Sequence, residues 1–168
     1  MKGFRVPPVS LVLSLEDFAA GLPAAGRLMA LDVGTKTIGI AISDTTRMVA
    51  TGLETLQRTK FTADAAHLLT RVATHEIVGV VIGLPVNLDG TNGPRVQSTK
   101  AFASNLGPRL LLPMLLWDER LSTVAAERSL LEADASRKRR KEVIDKVAAV
   151  IILQGALERM RELRRSGG

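Results

Sequence analysis

The chain has 168 residues, 46% of them hydrophobic and 24% charged, and no cysteine. This is enough for one domain with a core of its own. It excludes a disulfide scaffold, zinc ribbons, iron–sulfur clusters and thiol catalysis. The formal charge of +6 favours an anionic partner, nucleic acid before others.

At the N-terminus, Lys2 and Arg5 precede the apolar stretch Val9 to Leu15. Pro7 and Pro8 break its start and Glu16 and Asp17 follow at once, so it reads as an extension, residues 1–26, and not as a secretory leader. No later run approaches the roughly 20 apolar residues of a membrane span, and a cytoplasmic protein with no membrane partner is expected. Ser14 is positioned to cap a short helix carrying Leu15, Phe18, Ala19 and Leu22, with Asp17 in its first turn. That helix covers an apolar patch or holds a partner.

From residue 27 the pattern changes. Strands are predicted at 27–33, 37–44 and 49–56, joined by short turns and hence an antiparallel meander. A helix over 62–75 carries Ala65, Leu68, Leu69 and Val72 at helical spacing. Residues 77–82 are continuously apolar and β-branched, the mark of a strand buried on both faces. A Gly- and Asn-rich loop, 86–93, leads to a helix over 94–106 that starts on Pro94 and is stopped by Gly107-Pro108. Another buried strand is predicted at 110–117. A helix capped by Ser122 or Thr123 runs to 131, a polar and basic stretch covers 136–141, and a last helix spans 142–163. The expected fold is α/β, a mixed five-stranded sheet of three antiparallel and two parallel strands flanked by helices, forming one domain over 27–168.

Three carboxylates draw attention. Asp32 ends the first strand and shares a face with Leu28 and Ala30, which should be buried. A buried carboxylate needs a compensating group, either a bound cation or a basic partner. Glu119 and Asp118 close the last strand, at the end where α/β folds place ligands. Alternation puts them on opposite faces, so one points into a shared site, and Arg120 is a ready ion-pair partner for Asp118. Asp145 precedes Ala148, Ala149, Ile152, Leu153, Ala156 and Met160 at i+3, i+4, i+7, i+8, i+11 and i+15, which sets it on or beside the buried stripe of the last helix, just inside its first turn. Carboxylates from a first strand, a late strand and a final helix suit hard cations, Mg²⁺ or Mn²⁺, and metal-assisted phosphodiester hydrolysis.

Gly34-Thr35-Lys36-Thr37-Ile38-Gly39 has the glycine spacing of a phosphate loop but runs on into a strand, so it reads as a hairpin turn whose Thr35 and Lys36 flank Asp32. The run Arg137-Lys138-Arg139-Arg140-Lys141 stands just ahead of Asp145, where basic charge opposes the helix dipole, and favours phosphate contact. Arg120 joins that set, Arg95 and Lys100 extend it, and Asp118, Thr35 and Thr123 are secondary site residues. Residues 87–93 resemble a calcium loop only slightly, lacking its closing Glu. His67 and His75 lack ligand spacing and read as structural or surface residues. With aromatics at 3%, recognition leans on backbone and shape, not base stacking.

Taken together the chain resembles the YqgF family, also called RuvX, of the RNase H-like superfamily. The matching segments are Leu31-Asp32-Val33-Gly34-Thr35-Lys36-Thr37-Ile38-Gly39 with Ile40 to Asp44, Val81-Ile82-Gly83-Leu84-Pro85 with Asn87-Leu88-Asp89-Gly90, Asp118-Glu119-Arg120-Leu121-Ser122-Thr123, and Asp145-Lys146-Val147-Ala148-Ala149 with Ile151 to Gln154. They cover Arg27 to Leu163 in the family's order; Trp117 stands where many members carry a smaller or aliphatic residue. The resemblance implies a metal-dependent nuclease with Asp32, Glu119 and Asp145 as acidic site residues. The implied activity is maturation of the 5′ end of pre-16S rRNA, a structured RNA, in association with the ribosome. The alternative is Holliday junction resolution on branched DNA. Resolution requires a two-fold dimer, and the sequence itself leaves monomer and homodimer open. A sugar-kinase or actin-like ATPase would need a second lobe, for which there is no length. A non-catalytic nucleic-acid-binding module would not need all three carboxylates.

Overall fold

The computed structural model describes residues 12–87, 89–121 and 137–167, with side chains in the last span described from residue 146 onward. The apolar runs form β2 (Arg27–Val33), β3 (Thr37–Ser43), β4 (Ala50–Gln57), β5 (Ile77–Leu84) and β6 (Met114–Asp118). β2, β3 and β4 make the antiparallel meander, and β5 and β6 add on in parallel. A two-residue strand, β1 (Val12–Leu13), pairs in parallel with Met114 and Leu115, so the sheet has six strands in the order β1-β6-β5-β2-β3-β4. The five expected strands are all present. The sixth closes the open edge of β6, a role that two residues cannot advertise by periodicity.

Ser14 caps α1 (Leu15–Gly21), its hydroxyl accepting from the Asp17 N–H at 3.1 Å. The helix turns Phe18 and Leu22 onto the sheet over Gly79. A methyl group there would meet Leu22 at 2.9 Å and Phe18 at 3.0 Å, so glycine at this position allows α1 to seat this closely. The apolar-patch reading of this segment is the one the packing bears out, since Phe18 is wholly buried.

Helix α2 (Phe61–His75) matches its expected span. Helix α3 (Pro94–Leu110) does not stop at Gly107-Pro108. Pro108 forfeits one backbone bond, but Leu106, Gly107 and Leu110 are buried against the sheet and the helix continues for that packing. It ends at Leu111 in the left-handed conformation, whose N–H donates to the Gly107 carbonyl at 2.9 Å. Residues 110–113 are thereby removed from the expected last strand, which starts at Met114. The final helix, α4 (Arg137–Gly167), takes in the whole basic run, so Asp145 lies in its third turn and not its first. The expected helix after Ser122 and Thr123 falls outside the described residues.

Strand alternation divides the core. Leu28, Ala30, Ala41, Val81, Leu115 and Trp117 face α4, packing on Ala148, Ala149, Ile152 and Leu153. Met29, Leu31, Ile38, Ile40, Val80 and Ile82 face α2 and α3. At the far end from the strand termini that carry the carboxylates, buried Arg47 ties two segments together. Its Nε donates to Gly26 O at 2.9 Å and its Nη2 to Pro23 O at 2.6 Å.

The loop holding Arg47 is organised by Asp44. Its carboxylate accepts from the Thr46 hydroxyl and from the Met48 and Val49 N–H groups at 2.8 and 3.0 Å. The Thr46 bond first, then the backbone bonds, lower its pKa from 3.8 to about 2. The ionised form is therefore favoured by folding, and the stabilisation is complete above pH 3.8 and fades as pH falls toward 2. Denaturant titrations of the wild type and Asp44→Ala across that range should show a stability gap that is constant at neutral pH, narrows below pH 4 and closes near pH 2. A gap that persists unchanged at pH 2 would refute the assignment.

Candidate functional site

Asp32 sits next to last in β2, between Leu31 and Val33, and is 1% exposed. It alternates with Leu28 and Ala30 and so faces α4. Its partner in β3 is Gly39. On the other side Leu31 pairs with Ile82, so one residue further Asp32 and Gly83 stand side by side. Gly83 in turn pairs with Trp117. Two glycines thus flank the carboxylate and leave room on the α4 face.

Glu119 fills part of that room. It opens the short 3-10 turn Glu119–Leu121 after β6, and alternation from Leu115 and Trp117 turns it to the α4 face. Its Oε2 lies 3.0 Å from the point a Cβ on Gly83 would occupy, and Ile152 Cδ1 of α4 lies 2.4 Å from the same point. A side chain at position 83 would drive the carboxylate and the helix away. Gly83 is therefore the residue that lets the Glu119 carboxylate and Ile152 of α4 come down onto β5 beside β2, and the sequence reading passed over it as a strand end. The available signal was a glycine inside an otherwise β-branched strand, which marks a close approach.

Asp118 goes the other way. Its carboxylate binds Arg120 through Nε at 3.1 Å and Nη2 at 2.6 Å and accepts the Arg120 N–H at 2.9 Å. The Arg120 side-chain bond holds the Asp118 pKa below the usual carboxylate value, and the same bond raises that of Arg120. Asp118 is thus committed to an ion pair, as expected from its neighbour. Arg120 also approaches the 87–91 loop, where its Nη1 would be 3.4 Å from a Cβ on Gly90. That loop is pinned by its own bonds, Asn87 N–H to Thr91 O at 3.1 Å and Thr91 N–H to Asp89 Oδ1 at 2.9 Å.

The β2–β3 turn is tight, with the Gly34 N–H donating to Thr37 O at 2.8 Å. Thr35 and Lys36 are exposed at its tip. Arg58 braces the turn, its Nη1 donating to Gly34 O at 2.6 Å. The backbones of Arg137, Lys138, Arg139, Arg140, Lys141 and Asp145 belong to α4, their side chains lying outside the described residues, as does Thr123 altogether. His67 pairs with Glu54, which also binds Arg71 at 3.0 Å, in keeping with a structural histidine.

Among the described residues no group of three His, Asp or Glu side chains is gathered for a metal. Asp32 at the end of β2 and Glu119 just after β6 lie on the same α4-facing side of the sheet and offer only oxygen donors, the chemistry a hard cation takes. Nor is any helix among the described residues long and apolar enough to cross a membrane.

Residues 26–159 match the family model described as RuvX, Holliday junction resolvase. A Rhodobacter capsulatus protein named "Putative pre-16S rRNA nuclease" is 60% identical over 154 residues, covering 92% of this chain and 97% of its own. A Cereibacter sphaeroides protein of the same name is 62% identical, with 92% and 96% covered. Among solved structures, the Thermus thermophilus RuvC complex with a Holliday junction substrate superposes with a TM-score of 0.50 at 10% identity, over 80% of this chain and 96% of that one. The yeast mitochondrial Holliday junction resolvase Ydc2 gives 0.51 at 12% identity, over 90% and 86%. At such identities the structural likeness establishes the RuvC-like, RNase H-like fold and nothing finer.

Proposed function

This chain belongs to the RuvX family and is a nuclease, a phosphodiester hydrolase, and from that premise we propose that it matures the 5′ end of pre-16S rRNA with Mg²⁺ or Mn²⁺ held by Asp32, Glu119 and Asp145. The observation that supports the site is the placement of Asp32 at the end of β2 and of Glu119 after β6 on the same α4-facing side of the sheet, with Glu119 Oε2 3.0 Å from the Cβ position of Gly83 on the strand between them. Asp145 completes the set by sequence spacing. It lies two turns ahead of Ile152 on the same helical face, and Ile152 packs beside Glu119 at Gly83. When bound, the cation lowers the pKa of a water and stabilises the leaving oxygen.

The chain's own groups supply the rest. Asp32 and Glu119 present fixed oxygens from rigid strand ends, which limits the reorganisation needed during reaction. Lys36 and the basic run Arg137 to Lys141 hold the sugar–phosphate backbone without reading bases. Arg120, neutralised in part by Asp118, orients the 87–91 loop at the rim and has Nη1 left for a phosphate. Residues 27–168 are read as the nuclease domain and 1–26 as its extension, a division supported by the family match beginning at residue 26.

The names of the curated relatives favour RNA as substrate, while the family description favours a four-way DNA junction. Purified chain is incubated with labelled precursor rRNA carrying its 5′ extension and with a labelled junction, each with Mg²⁺, Mn²⁺ or EDTA. Metal-dependent trimming of the RNA is expected. Paired symmetric nicks in the junction, with the RNA intact, would replace the maturation reading by resolution and require a dimer in solution.

A further inference from the structure

Around the end of β2 from Asp32, on the opposite face of the sheet, the β2–β3 turn and the first two turns of α3 enclose a cavity of about 170 Å³. Val33, Gly34 and Thr35 form one wall, and Arg95, Ser98 and Thr99 the other. Among the described residues, no Asp or Glu lines it. We propose that this cavity is a binding site for a backbone phosphate of the nucleic acid, lying along the strand from the phosphate that is cut. The placement relative to the cut rests on the nuclease site proposed above; the phosphate site itself does not.

Four features point to a dianion or monoanion of this size. First, α3 spans 17 residues, and its N-terminus has no side-chain cap and no acidic residue in the first turn, so the positive end of the helix is uncompensated there. Second, Thr99 is 2% exposed and lines the cavity, yet among the described residues its hydroxyl makes no hydrogen bond. A hydroxyl so placed is available to donate to a ligand in the cavity. Third, Arg95 extends back over the turn. Its Nη2 reaches Val33 O at 3.4 Å, which holds the guanidinium beside the cavity with donors to spare. Fourth, Thr35 and Ser98 add two more hydroxyls, completing a set of donors from two elements with no carboxylate among the described lining residues.

The position gives the site its use. Val33 follows Asp32 directly but faces the other core. A nucleic-acid strand laid across the end of β2 with one phosphate over Asp32 and Glu119 would carry a neighbouring phosphate round the Gly34–Thr35 turn into this cavity. Holding that neighbour fixes the register of the cut, which backbone contacts can do without reading sequence.

The test uses the full chain and inorganic phosphate, titrated at constant ionic strength against chloride and followed by amide chemical shifts. Saturable shifts are expected at Thr35, Arg95, Ser98 and Thr99. Arg95→Ala and Thr99→Val should each weaken the dissociation constant about tenfold, and Thr99→Ser, which keeps the hydroxyl, should bind as the wild type does. The absence of saturable shifts at Arg95, Ser98 and Thr99 overturns the proposal, as does a dissociation constant indifferent to Arg95→Ala. Arg95 is exposed, so that variant stays informative even if the buried Thr99→Val fails to fold. Failure of the nuclease site reads differently: precursor RNA would stay uncut in metal while the phosphate shifts at α3 remained.

Discussion

Asp32→Asn leaves a chain that folds and retains RNA in EDTA but cleaves it about a thousandfold more slowly or worse. The substitution keeps the shape of a side chain that is 1% exposed, so packing against the α4-facing core is preserved. What it removes is the charge and, on the function proposed above, one of the cation's donors. Lewis-acid stabilisation of the transition state amounts to several kcal/mol, and about 4 kcal/mol corresponds to roughly a thousandfold in rate. Binding should be equal or tighter, because a negative charge facing phosphate is gone. Single-turnover cleavage of labelled precursor RNA in Mg²⁺ and Mn²⁺, beside gel retention in EDTA, measures both halves. Cleavage within about tenfold of wild type would remove Asp32 from the catalytic set.

The second large effect is expected at a residue with no functional group. Gly83→Ala puts a methyl 2.4 Å from Ile152 Cδ1 and 3.0 Å from Glu119 Oε2. Ile152 is wholly buried and cannot swing into solvent. Overpacking of this kind costs about 1–3 kcal/mol, and denaturation should show a loss in that range. On the proposed role of Glu119, cleavage should fall about tenfold or more, because its carboxylate must also give way and small displacements of catalytic groups are expensive.

A compensating change separates the two effects. Ile152→Val removes the clashing Cδ1 and alone costs about 0.5–1.5 kcal/mol. In the double variant the alanine methyl occupies the vacated space, so stability should recover above that of Gly83→Ala. Glu119 Oε2 remains crowded, so cleavage should stay low. A double variant that is both stable and fully active would show that the space over Gly83 is not used by the carboxylates. The single tryptophan, Trp117, pairs with Gly83 in the sheet, so its fluorescence follows the packing there in every variant.

Much of the fold was legible because its strands are written in unbroken β-branched runs. β2 and α2 fell within a residue of their expected ends. The pairing of Asp118 with Arg120 and the divergence of Glu119 to the other face followed from period-two alternation alone. The departures cluster where distant packing overrules local preference. Gly107-Pro108 would end an isolated helix, but α3 gains more by burying Leu106 and Leu110 than it loses at Pro108. β1 exists because β6 offers it an unpaired edge, which nothing in Val12–Leu13 reveals.

The sequence by itself determined the strand meander, the two parallel additions, the resemblance to a nuclease family and the short list of carboxylates, because side-chain periodicity and motif spacing are local properties of the chain. It also identified Ser14 as a cap and Asp32 as buried, both consequences of neighbours a few positions away. Only the tertiary structure decided what stands next to what. It set Gly83 beside Asp32 and brought Glu119 and Ile152 over that glycine. It also closed a hydroxyl-lined cavity between a turn and a helix some 60 residues apart in the chain. The physical reason is that these contacts cross the sheet. Their geometry depends on strand register and on the seating of α3 and α4, quantities that no local pattern encodes.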